Sequence, residues 1–338
     1  MSSPVHIKLK ERSANPAVRL MAMAEEDMSK VNTIILDRMQ SPVGMIPDLA
    51  EHLVGAGGKR LRPLLTIACA HLCGVPDEAH HKLAAAVEFI HSATLLHDDV
   101  IDDSDLRRGR KVANRIWGNS ASILVGDFLF ARAFNLMVET GSLEALNILS
   151  KAASIIAEGE VHQLSILRQI ETSEESYLEV IGAKTAALFA AACEVAPIVS
   201  GRGLKQQKAL KNYGQNLGLA FQLVDDALDY GGLEAALGKS VGDDFREGKV
   251  TLPIIRAMSV ASEKDKDFWK RVIVDYQQTD TDLEKAVSIV RQTGALESTL
   301  DLARSYTRAA EASLDGFPDT PWKTTLIDLT HYVIDRVS

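Results

Sequence analysis

Residues 83–96, LAAAVEFIHSATLL, lead directly into His97-Asp98-Asp99-Val100-Ile101-Asp102-Asp103, and this stretch decides how the chain folds. Ala, Val, Ile and Leu recur at helical spacing, which predicts a helix that is buried for most of its length. Asp98 and Asp102 then lie one turn apart on the same face of that helix. Like charges in this arrangement repel each other, and a bound cation would remove that cost.

A second acidic segment, Asp225-Asp226-Ala227-Leu228-Asp229, repeats the D-D-x-x-D spacing after another apolar helical run. One such match alone usually marks a solvated face, but both copies here end apolar helices. Magnesium binds in proteins through one or two carboxylates plus substrate phosphates. Calcium is disfavoured because neither segment has the glycine-turned loop of an EF-hand. The two segments therefore predict a site for Mg²⁺ ions that bridge a polyphosphate.

Length and composition limit the class of protein. The 338 residues could form one large domain or two ordinary ones, with 46% hydrophobic and 25% charged residues, as in soluble globular proteins. The net charge of −9 argues against nucleic acid as the main partner. No apolar run reaches the length of a membrane span, and residues 1–10 lack the apolar segment of a signal peptide. We therefore expect a cytoplasmic protein without a transmembrane segment.

Three cysteines, Cys69, Cys73 and Cys193, indicate a reducing compartment without a disulfide framework. The first two are four residues apart, and three nearby histidines could complete a zinc site: His71, His80 and His81. Zinc-finger cysteine pairs are usually more tightly spaced and occur twice. The favoured interpretation is that both thiols are small core residues of an apolar helix.

Helical patterns fill nearly the whole chain after a polar arm at residues 1–15. Asn15-Pro16 predicts a helix start with proline at the first position. Patterns typical of strands and hairpins are nearly absent. We predict an all-α fold in which residues 16–338 form a single large helical bundle around one domain core.

Helix ends are marked by residues of the expected types. Ser142 and Ser173 are candidate N-caps, and Thr281 with Glu284 has the pattern of a capping box. Glycines are expected to end two helices, at Gly231 and at Gly294. Gly214 and Gly218 would let a neighbouring helix approach closely just before the second acidic segment.

Basic residues accompany the acidic ones. Gly57-Gly58-Lys59-Arg60-Leu61-Arg62-Pro63 is a glycine-rich turn that opens a helix at Pro63, and such backbone N–H groups with Lys or Arg bind anions. Arg107-Arg108-Gly109-Arg110 follows the first acidic segment, and Gly238-Lys239 and Gly248-Lys249 follow the second. Each cation could instead be solvated or could pair with a nearby aspartate. Two acidic clusters trailed by basic residues fit a phosphate and metal site better.

Other catalytic motifs are missing from the sequence. Gly238-Lys239-Ser240 resembles the end of a P-loop, but Leu233 replaces the first glycine and a helix precedes it where a strand is required. There is no G-x-S-x-G elbow, H-E-x-x-H pair or dinucleotide-binding glycine pattern. His91, seven residues before Asp98, lies on about the same side of its helix and is either a core residue or a phosphate ligand.

Together these segments resemble the trans-isoprenyl diphosphate synthases, the all-trans polyprenyl synthase family, from about Asp48 to Ser338. The resemblance depends on ordered motifs: GGKRLRP at 57–63, HSATLLHDDVIDDSDLRRG at 91–109, GDFL at 126–129, AKTAALF at 183–189, FQLVDDALD at 221–229 and GKSVGDDFREGKVTLP at 238–253. One motif would be weak, whereas all of them in this order are highly specific.

The resemblance implies a helical bundle around a deep apolar cavity, usually as a homodimer, with the two aspartate motifs facing each other at its mouth. It implies a prenyltransferase that uses Mg²⁺ to condense isopentenyl diphosphate with an allylic prenyl diphosphate. Release of a long apolar product would involve a transient contact with a membrane.

The resemblance also implies roles for individual residues. The metal-binding set is Asp98, Asp99, Asp102, Asp225 and Asp229, with Asp226 near them. The isopentenyl diphosphate pocket consists of Lys59, Arg62, His91 and Arg108. Contacts to the allylic diphosphate come from Arg107, Lys184, Thr185, Gln222, Lys239 and Lys249. The residues expected to act in the reaction itself are Asp98, Asp102, Arg107, Lys184, Asp225 and Lys239.

Product length should depend on what obstructs the cavity. In short-chain members an aromatic residue tends to lie four or five positions before the first aspartate motif, where this chain has Thr94 and Ala93. These small residues favour an octaprenyl to decaprenyl product, a precursor of quinone side chains. A deeper Phe128 or Phe130 could still form the cavity floor.

Three alternatives stay open at this point. A geranylgeranyl diphosphate synthase would share all the motifs and make a shorter product. A class I terpene cyclase shares the first aspartate motif but should lack the GGKRLRP turn and the second D-D-x-x-D. A noncatalytic subunit of a heteromeric prenyl synthase would have no need to keep intact acidic and basic sets.

Overall fold

The computed structural model describes residues 15–55, 58, 60–74, 78–107, 109–231 and 242–336. Across these ranges the secondary structure is helical apart from one short antiparallel hairpin, so the all-α prediction is confirmed. Of the predicted arm, residues 1–14 lie outside the described residues.

The elements, numbered in chain order, are α1 (Pro16–Met23), α2 (Glu25–Arg38), α3 (Met45–Gly55), α4 (Leu61–Leu72), α5 (Ala79–Ile101), β1 (Leu106–Arg107), β2 (Arg110–Lys111), α6 (Ala113–Trp117), α7 (Asn119–Glu139), α8 (Leu143–Ile166), α9 (Glu174–Ile181), α10 (Ala187–Val199), α11 (Leu204–Gly231), α12 (Asp243–Glu247), α13 (Leu252–Ser259), α14 (Glu263–Trp269), α15 (Asp282–Gln292), α16 (Ala295–Ser313) and α17 (Pro321–Asp335). A π-helical turn, Gly182–Ala186, joins α9 to α10, and a second one, Lys270–Val274, follows α14. The hairpin pairs Leu106 with Lys111 and Arg107 with Arg110.

Most of the expected helix caps are present. The Asn15 side chain accepts a hydrogen bond from the Ala17 N–H, and Ser142 and Ser173 cap α8 and α9 in the same way. The prediction of a capping box at Thr281 is wrong, because the Thr281 side chain makes no cap hydrogen bond. At this end of α15 the Asp282 carboxylate instead accepts a hydrogen bond from the Thr279 N–H at 2.7 Å.

The centre of the bundle is the packing of α5, α10 and α11, with α16 against α11. The predicted close approach at Gly214 and Gly218 is confirmed. A Cβ on Gly214 would clash with the carbonyl oxygen of Phe189, and one on Gly218 would lie 2.7 Å from the Ala186 Cα. These contacts hold α11 against α10 and so fix where the second acidic segment ends.

Buried apolar side chains form two clusters, and α11 contributes to both. The larger cluster extends through the bundle from α1 to α17, and the smaller one surrounds Trp269 near α13 to α15. Leu228 belongs to the first and Tyr230 to the second. The second acidic segment therefore lies where the two clusters meet.

Two helical stretches, Asn119–Glu139 and Glu174–Val199, are long and apolar enough to cross a membrane by length and composition alone. The expectation that no apolar run reaches this length is therefore wrong. Within the bundle, 67% of the apolar window of Glu174–Val199 is buried. A core helix of a soluble protein passes the same test, so this finding is weak evidence for a membrane span.

Candidate active site

A cavity of about 450 Å³ opens where the C-terminal ends of α5 and α11 meet. Its wall contains residues of both D-D-x-x-D segments, which lie in one cavity although they are more than 120 residues apart in the chain. The predicted site residues that line it are Arg62, His91, Thr94, Asp98, Asp102, Arg107, Lys184, Thr185, Gln222, Asp225, Asp229 and Lys249. The predicted contacts Lys59, Arg108 and Lys239 lie outside the described residues.

Asp98 projects from the last turn of α5 into this cavity. Its Oδ2 lies 3.8 Å from Nζ of Lys184, which also lies 2.8 Å from Oε2 of Glu160 on α8. Burial raises the pKa of Asp98 to about 6, with Lys184 opposing the shift and Glu160 and Asp102 adding to it. The Asp98 carboxyl is therefore short of positive charge in this structure.

Asp102 closes the same turn and faces a different lysine. Its Oδ2 lies 3.4 Å from Nζ of Lys249, which is also 2.5 Å from Oε2 of Glu247. Burial lowers the pKa of Lys249, but the carboxylates of Asp102, Asp244 and Glu247 outweigh it and raise that pKa. Lys249 is therefore a fixed positive charge at the cavity.

Asp99 points away from the cavity, towards Arg107 on β1. Its Oδ1 accepts hydrogen bonds from Nε and Nη2 of Arg107 at 3.0 and 2.8 Å, and its side chain is only 3% exposed. Asp99 is not among the residues that line the cavity, which differs from its predicted place in the metal-binding set. The structure favours a positioning role, in which Asp99 holds Arg107 at the cavity wall.

Asp225, the first residue of the second motif, is paired with a cation from the far end of the chain. Its Oδ1 lies 2.7 Å from Nη2 of Arg336, just beyond α17. The Arg336 guanidinium also lies 4.8 Å from the ring centroid of Phe221. Arg336 therefore brings a positive charge to the mouth of the cavity.

Asp226, the second residue of this motif, is buried and forms hydrogen bonds with two neighbouring side chains. It accepts bonds from the Tyr177 hydroxyl at 2.5 Å and from Nε2 of Gln222 at 2.7 Å. The Thr185 hydroxyl donates to Oε1 of Gln222 at 2.8 Å, which extends the network to the π-helical turn. Burial raises the pKa of Asp226, and Asp244 adds to the shift. Asp226 thus fixes the orientation of Gln222 and Thr185 at the cavity wall.

Asp229, the third residue of this motif, accepts hydrogen bonds from backbone N–H groups. It accepts the N–H groups of Gly242, Asp243 and Asp244 at 3.0, 3.1 and 3.0 Å, at the start of α12. Burial raises the pKa of Asp229 to about 7, with Asp244 adding to the shift and the three N–H bonds opposing it. A carboxylate has about four lone-pair sites, and these backbone N–H groups occupy three of those of Asp229.

Of the residues predicted to bind isopentenyl diphosphate, Arg62 and His91 lie within the described residues, and they contact each other at the cavity wall. Nη1 of Arg62 lies 3.1 Å from Nε2 of His91, and its guanidinium lies 4.5 Å from the ring centroid of Phe189. Stacking on an aromatic face orients a guanidinium while its N–H groups stay available to an anion.

The residues expected to set product length are not equivalent. Thr94 lines the cavity, whereas Ala93 is fully buried among the helices and does not line it. Phe128 and Phe130, which the sequence left open as residues that could form the cavity floor, pack against the core and are not part of the described cavity wall. The apolar residues that line it are Leu95, Ile166, Leu167, Val180, Ile181, Phe221 and Val250.

Several cavity residues were not predicted from the sequence: Glu160, Tyr177, Asp243, Asp244 and Arg336. Asp243-Asp244 lies inside the motif at 238–253, and a further acidic pair after the second D-D-x-x-D was a usable signal. No local sequence pattern marks Glu160, Tyr177 or Arg336 as a cavity residue, because each reaches the cavity only through helix packing.

The donor set of this cavity fits a hard divalent cation. Its described lining residues include eight carboxyl groups and five lysine or arginine side chains. Burial raises the pKa of both Asp98 and Asp229, and neighbouring carboxylates add to both shifts. Oxygen donors of this kind suit Mg²⁺ or Ca²⁺ rather than softer metals.

The chain matches the family model described as polyprenyl synthetase over residues 44–290. It is 42% identical to the octaprenyl diphosphate synthase of Escherichia coli over 94% of this chain and 98% of that protein. Two solved structures have a TM-score of 0.92 and cover 95% of this chain. One is a polyprenyl synthase from Caulobacter crescentus complexed with calcium and isoprenyl diphosphate, with 53% identity and 98% of that chain covered. The other is a decaprenyl diphosphate synthase from Rhodobacter capsulatus, with 50% identity and 99% covered.

The fold, the paired aspartate motifs and these relatives all agree, and the family suggested by the sequence motifs is confirmed. Members of this family generally depend on divalent metal ions. The chain belongs to the polyprenyl synthetase family of prenyltransferases.

Proposed function

We propose that the protein is a long-chain all-trans polyprenyl diphosphate synthase, which adds isopentenyl diphosphate units to an allylic diphosphate up to octaprenyl to decaprenyl length. The observation that carries this proposal is that both aspartate motifs line one cavity together with Arg62, Arg107 and Lys184. The names of the octaprenyl and decaprenyl relatives support a long product.

The cations of the cavity are suited to neutralise the leaving diphosphate. Lys184, Arg107 and Lys249 line it beside the acidic residues, so negative charge that develops on the leaving oxygen meets preorganised positive charge. Mg²⁺ bound by Asp98, Asp102 and Asp225 would supply further positive charge to the same oxygens. Asp99 keeps Arg107 in place for this role.

The second substrate is proposed to bind at Arg62 and His91, on the same cavity wall. The allylic carbon–oxygen bond breaks, and its electron pair leaves with the diphosphate. The double bond of the second substrate, held alongside, then forms a new carbon–carbon bond to the resulting allylic cation. Loss of a proton, which the departed diphosphate can accept, restores a double bond. The apolar side chains deeper in the cavity exclude water, which would otherwise quench the cation.

The test is incubation of the purified chain with Mg²⁺, farnesyl diphosphate and excess isopentenyl diphosphate, followed by chromatography of the products. We expect products of octaprenyl to decaprenyl length. A product that stops at geranylgeranyl length would overturn the long-chain proposal, and no consumption of isopentenyl diphosphate would overturn the enzymatic one. Activity of the chain alone also separates a catalytic protein from a noncatalytic subunit.

Thr94 is the better position at which to shorten the product. A phenylalanine at Thr94 would enter the cavity, whereas one at Ala93 would overpack a fully buried position. We expect Thr94→Phe to give shorter products at a similar rate of the first addition, and Ala93→Phe to lower the melting temperature. An unchanged product from Thr94→Phe would mean that another residue limits chain length.

We further propose that the protein is a homodimer through α7 and α8. Only 39% of the apolar window of α7 is buried, and Leu124, Phe134 and Val138 lie exposed on one face of it, with Leu143 and Val161 exposed on α8. Leu124→Glu with Val138→Glu should convert the dimer to a monomer in sedimentation, while Leu36→Glu, at an exposed leucine on α2, should not. A wild-type protein with the mass of one chain would contradict the proposal.

A cytoplasmic location is proposed on the basis of the cysteines. Cys69, Cys73 and Cys193 are all free and buried, as expected for a chain that works in a reducing compartment. Transfer of a long apolar product to a membrane would then need only a transient contact.

A further inference from the structure

A cluster of ionisable side chains lies at the end of the bundle opposite to the aspartate cavity. Asp27 lies on α2, His71 near the end of α4, and His80 and His81 at the start of α5. Asp98 lies 17 residues after His81 on the same helix, and at 1.5 Å per residue the two are about 26 Å apart. None of the four residues lines the cavity.

Three imidazoles converge on the single carboxylate of Asp27. Nε2 of His71 lies 2.7 Å from Oδ2, and Nε2 of His81 and of His80 lie 2.7 and 3.4 Å from Oδ1. The carboxylate on α2 therefore contacts side chains from both α4 and α5.

The rings are held in place by their surroundings. His71 stacks on Trp322 of α17, with ring centroids 4.4 Å apart and planes 6° apart. The rings of His80 and His81 are 3.9 Å apart, and both side chains are buried. Only Asp27 and His71 are partly exposed, which leaves one side of the cluster open to solvent.

The cysteines of the zinc interpretation take no part in this cluster. Cys69 is fully buried and interacts with Cys193 in the core, and Cys73 is buried as well. Their expected role as core residues agrees with this placement. The nearby histidines converge instead on Asp27, which the sequence pattern did not indicate because it lies 44 residues before His71.

We propose that Asp27, His71 and His80 form a binding site for a transition-metal cation of the zinc type, independent of the magnesium site and of the prenyl transfer reaction. Donor atoms of these three residues lie within 4.8 Å of one another, and His81 is hydrogen-bonded to the same carboxylate. Two imidazoles and one carboxylate, with a water molecule as the fourth ligand, are a donor set that suits Zn²⁺ in tetrahedral geometry. Metal–ligand bonds of about 2.1 Å place neighbouring donors about 3.4 Å apart, so the donors would move closer together when the ion binds.

Such an ion would join α2, α4 and α5 at the closed end of the bundle. Its consequence is stability rather than catalysis, because a ligand that binds only the folded state raises the free energy of unfolding. The site should prefer Zn²⁺ or Co²⁺ over Mg²⁺, since Mg²⁺ favours oxygen donors in octahedral geometry.

The test is a titration of the full-length, chelator-treated protein with Co²⁺ in excess Mg²⁺, which keeps the aspartate cavity filled. We expect one equivalent of Co²⁺ to give the visible absorption of a tetrahedral site, and Zn²⁺ to displace it. Zn²⁺ should also raise the melting temperature by a few degrees. His71→Ala should weaken Co²⁺ binding roughly 100-fold or more and abolish the thermal shift by Zn²⁺.

The matched control is His331→Ala, which removes an exposed histidine paired with Glu311 on the surface. It should keep the full absorption and the full thermal shift. Asp27→Asn keeps the side-chain shape and serves as the second variant if His71→Ala fails to fold. Absence of tetrahedral absorption in the wild type, or equal binding in wild type, His71→Ala and Asp27→Asn, would overturn the proposal.

Discussion

The two D-D-x-x-D segments have the same spacing but different surroundings. In the first, Asp98 and Asp102 face the cavity and lie near lysines, while Asp99 turns inward to hold Arg107. In the second, only the first residue, Asp225, pairs with a cation at the cavity mouth. Its neighbours hold protein groups, since Asp226 accepts side-chain bonds and Asp229 accepts backbone N–H groups.

The difference shows what spacing alone determines. Residues one turn apart on a helix share a face, and the first and third carboxyls of both motifs line the cavity, as does Asp226. The motif does not indicate their partners, which come from elsewhere in the chain. The second motif therefore combines a proposed metal ligand, Asp225, with a residue that fixes the start of α12, Asp229.

The largest effect should come from the first residue of each motif. Asp98→Asn and Asp225→Asn each remove a charge proposed to hold Mg²⁺, and we expect turnover to fall by on the order of 10²–10³-fold or more. Asp103→Asn is the matched control, because Asp103 is exposed and forms an ion pair with Arg115 on the surface. Steady-state rates at saturating Mg²⁺ measure this, and near-normal rates for either cavity variant would refute its metal role.

Substitutions at the third aspartates of the two motifs, Asp102 and Asp229, should have smaller effects that differ in kind. Asp229→Asn replaces one oxygen that accepts backbone N–H bonds, so we expect it to cost about 2 kcal/mol of folding free energy. Asp102→Asn removes a carboxylate whose lysine partner lies 3.4 Å away, and it should raise the Mg²⁺ concentration needed for half-maximal rate with little loss of stability. Thermal unfolding measures the loss of stability in each variant, and Mg²⁺ titrations of the rate measure the change in Mg²⁺ requirement. Equal losses of stability would mean that the two positions have the same role.

The smallest effect concerns pH. The pKa of Asp98 is raised to about 6 and that of Asp229 to about 7, both from an ordinary value of 3.8. At pH 6 these carboxyls therefore retain protons that a cation must displace, so at limiting Mg²⁺ the rate should fall by up to about tenfold between pH 7 and pH 6. Excess Mg²⁺ should restore it, and a loss that excess Mg²⁺ cannot restore would contradict this explanation.

The same shifts predict how the metal-free protein responds to pH. Because the folded pKa values lie above the unfolded ones, the folded state binds more protons between about pH 4 and pH 7. The contribution of these two carboxyls to stability therefore falls as pH rises through that window. Thermal unfolding in chelator should show the decline, and added Mg²⁺ should reduce it.

Much of the site could be predicted from the sequence because its signals are local. The acidic segments end apolar helices, Gly214 and Gly218 mark the closest helix contact, and the N-caps follow residue type. The sequence did not predict the contacts that depend on packing between residues distant in the chain. Arg336 reaches Asp225 across 111 residues, Tyr177 reaches Asp226 across 49, and Ala93 is turned into the core rather than towards the cavity.

The central claim is that the two motifs act together on one diphosphate. Its most direct test is the affinity of the protein for inorganic pyrophosphate in the presence of Mg²⁺, measured by calorimetry for wild type, Asp98→Asn, Asp225→Asn and the double variant. If both carboxylates hold Mg²⁺ against the same diphosphate, each single variant should lose most of the affinity and the double variant should lose little more. Losses that simply add in the double variant would show that the two motifs bind independently and would contradict the claim.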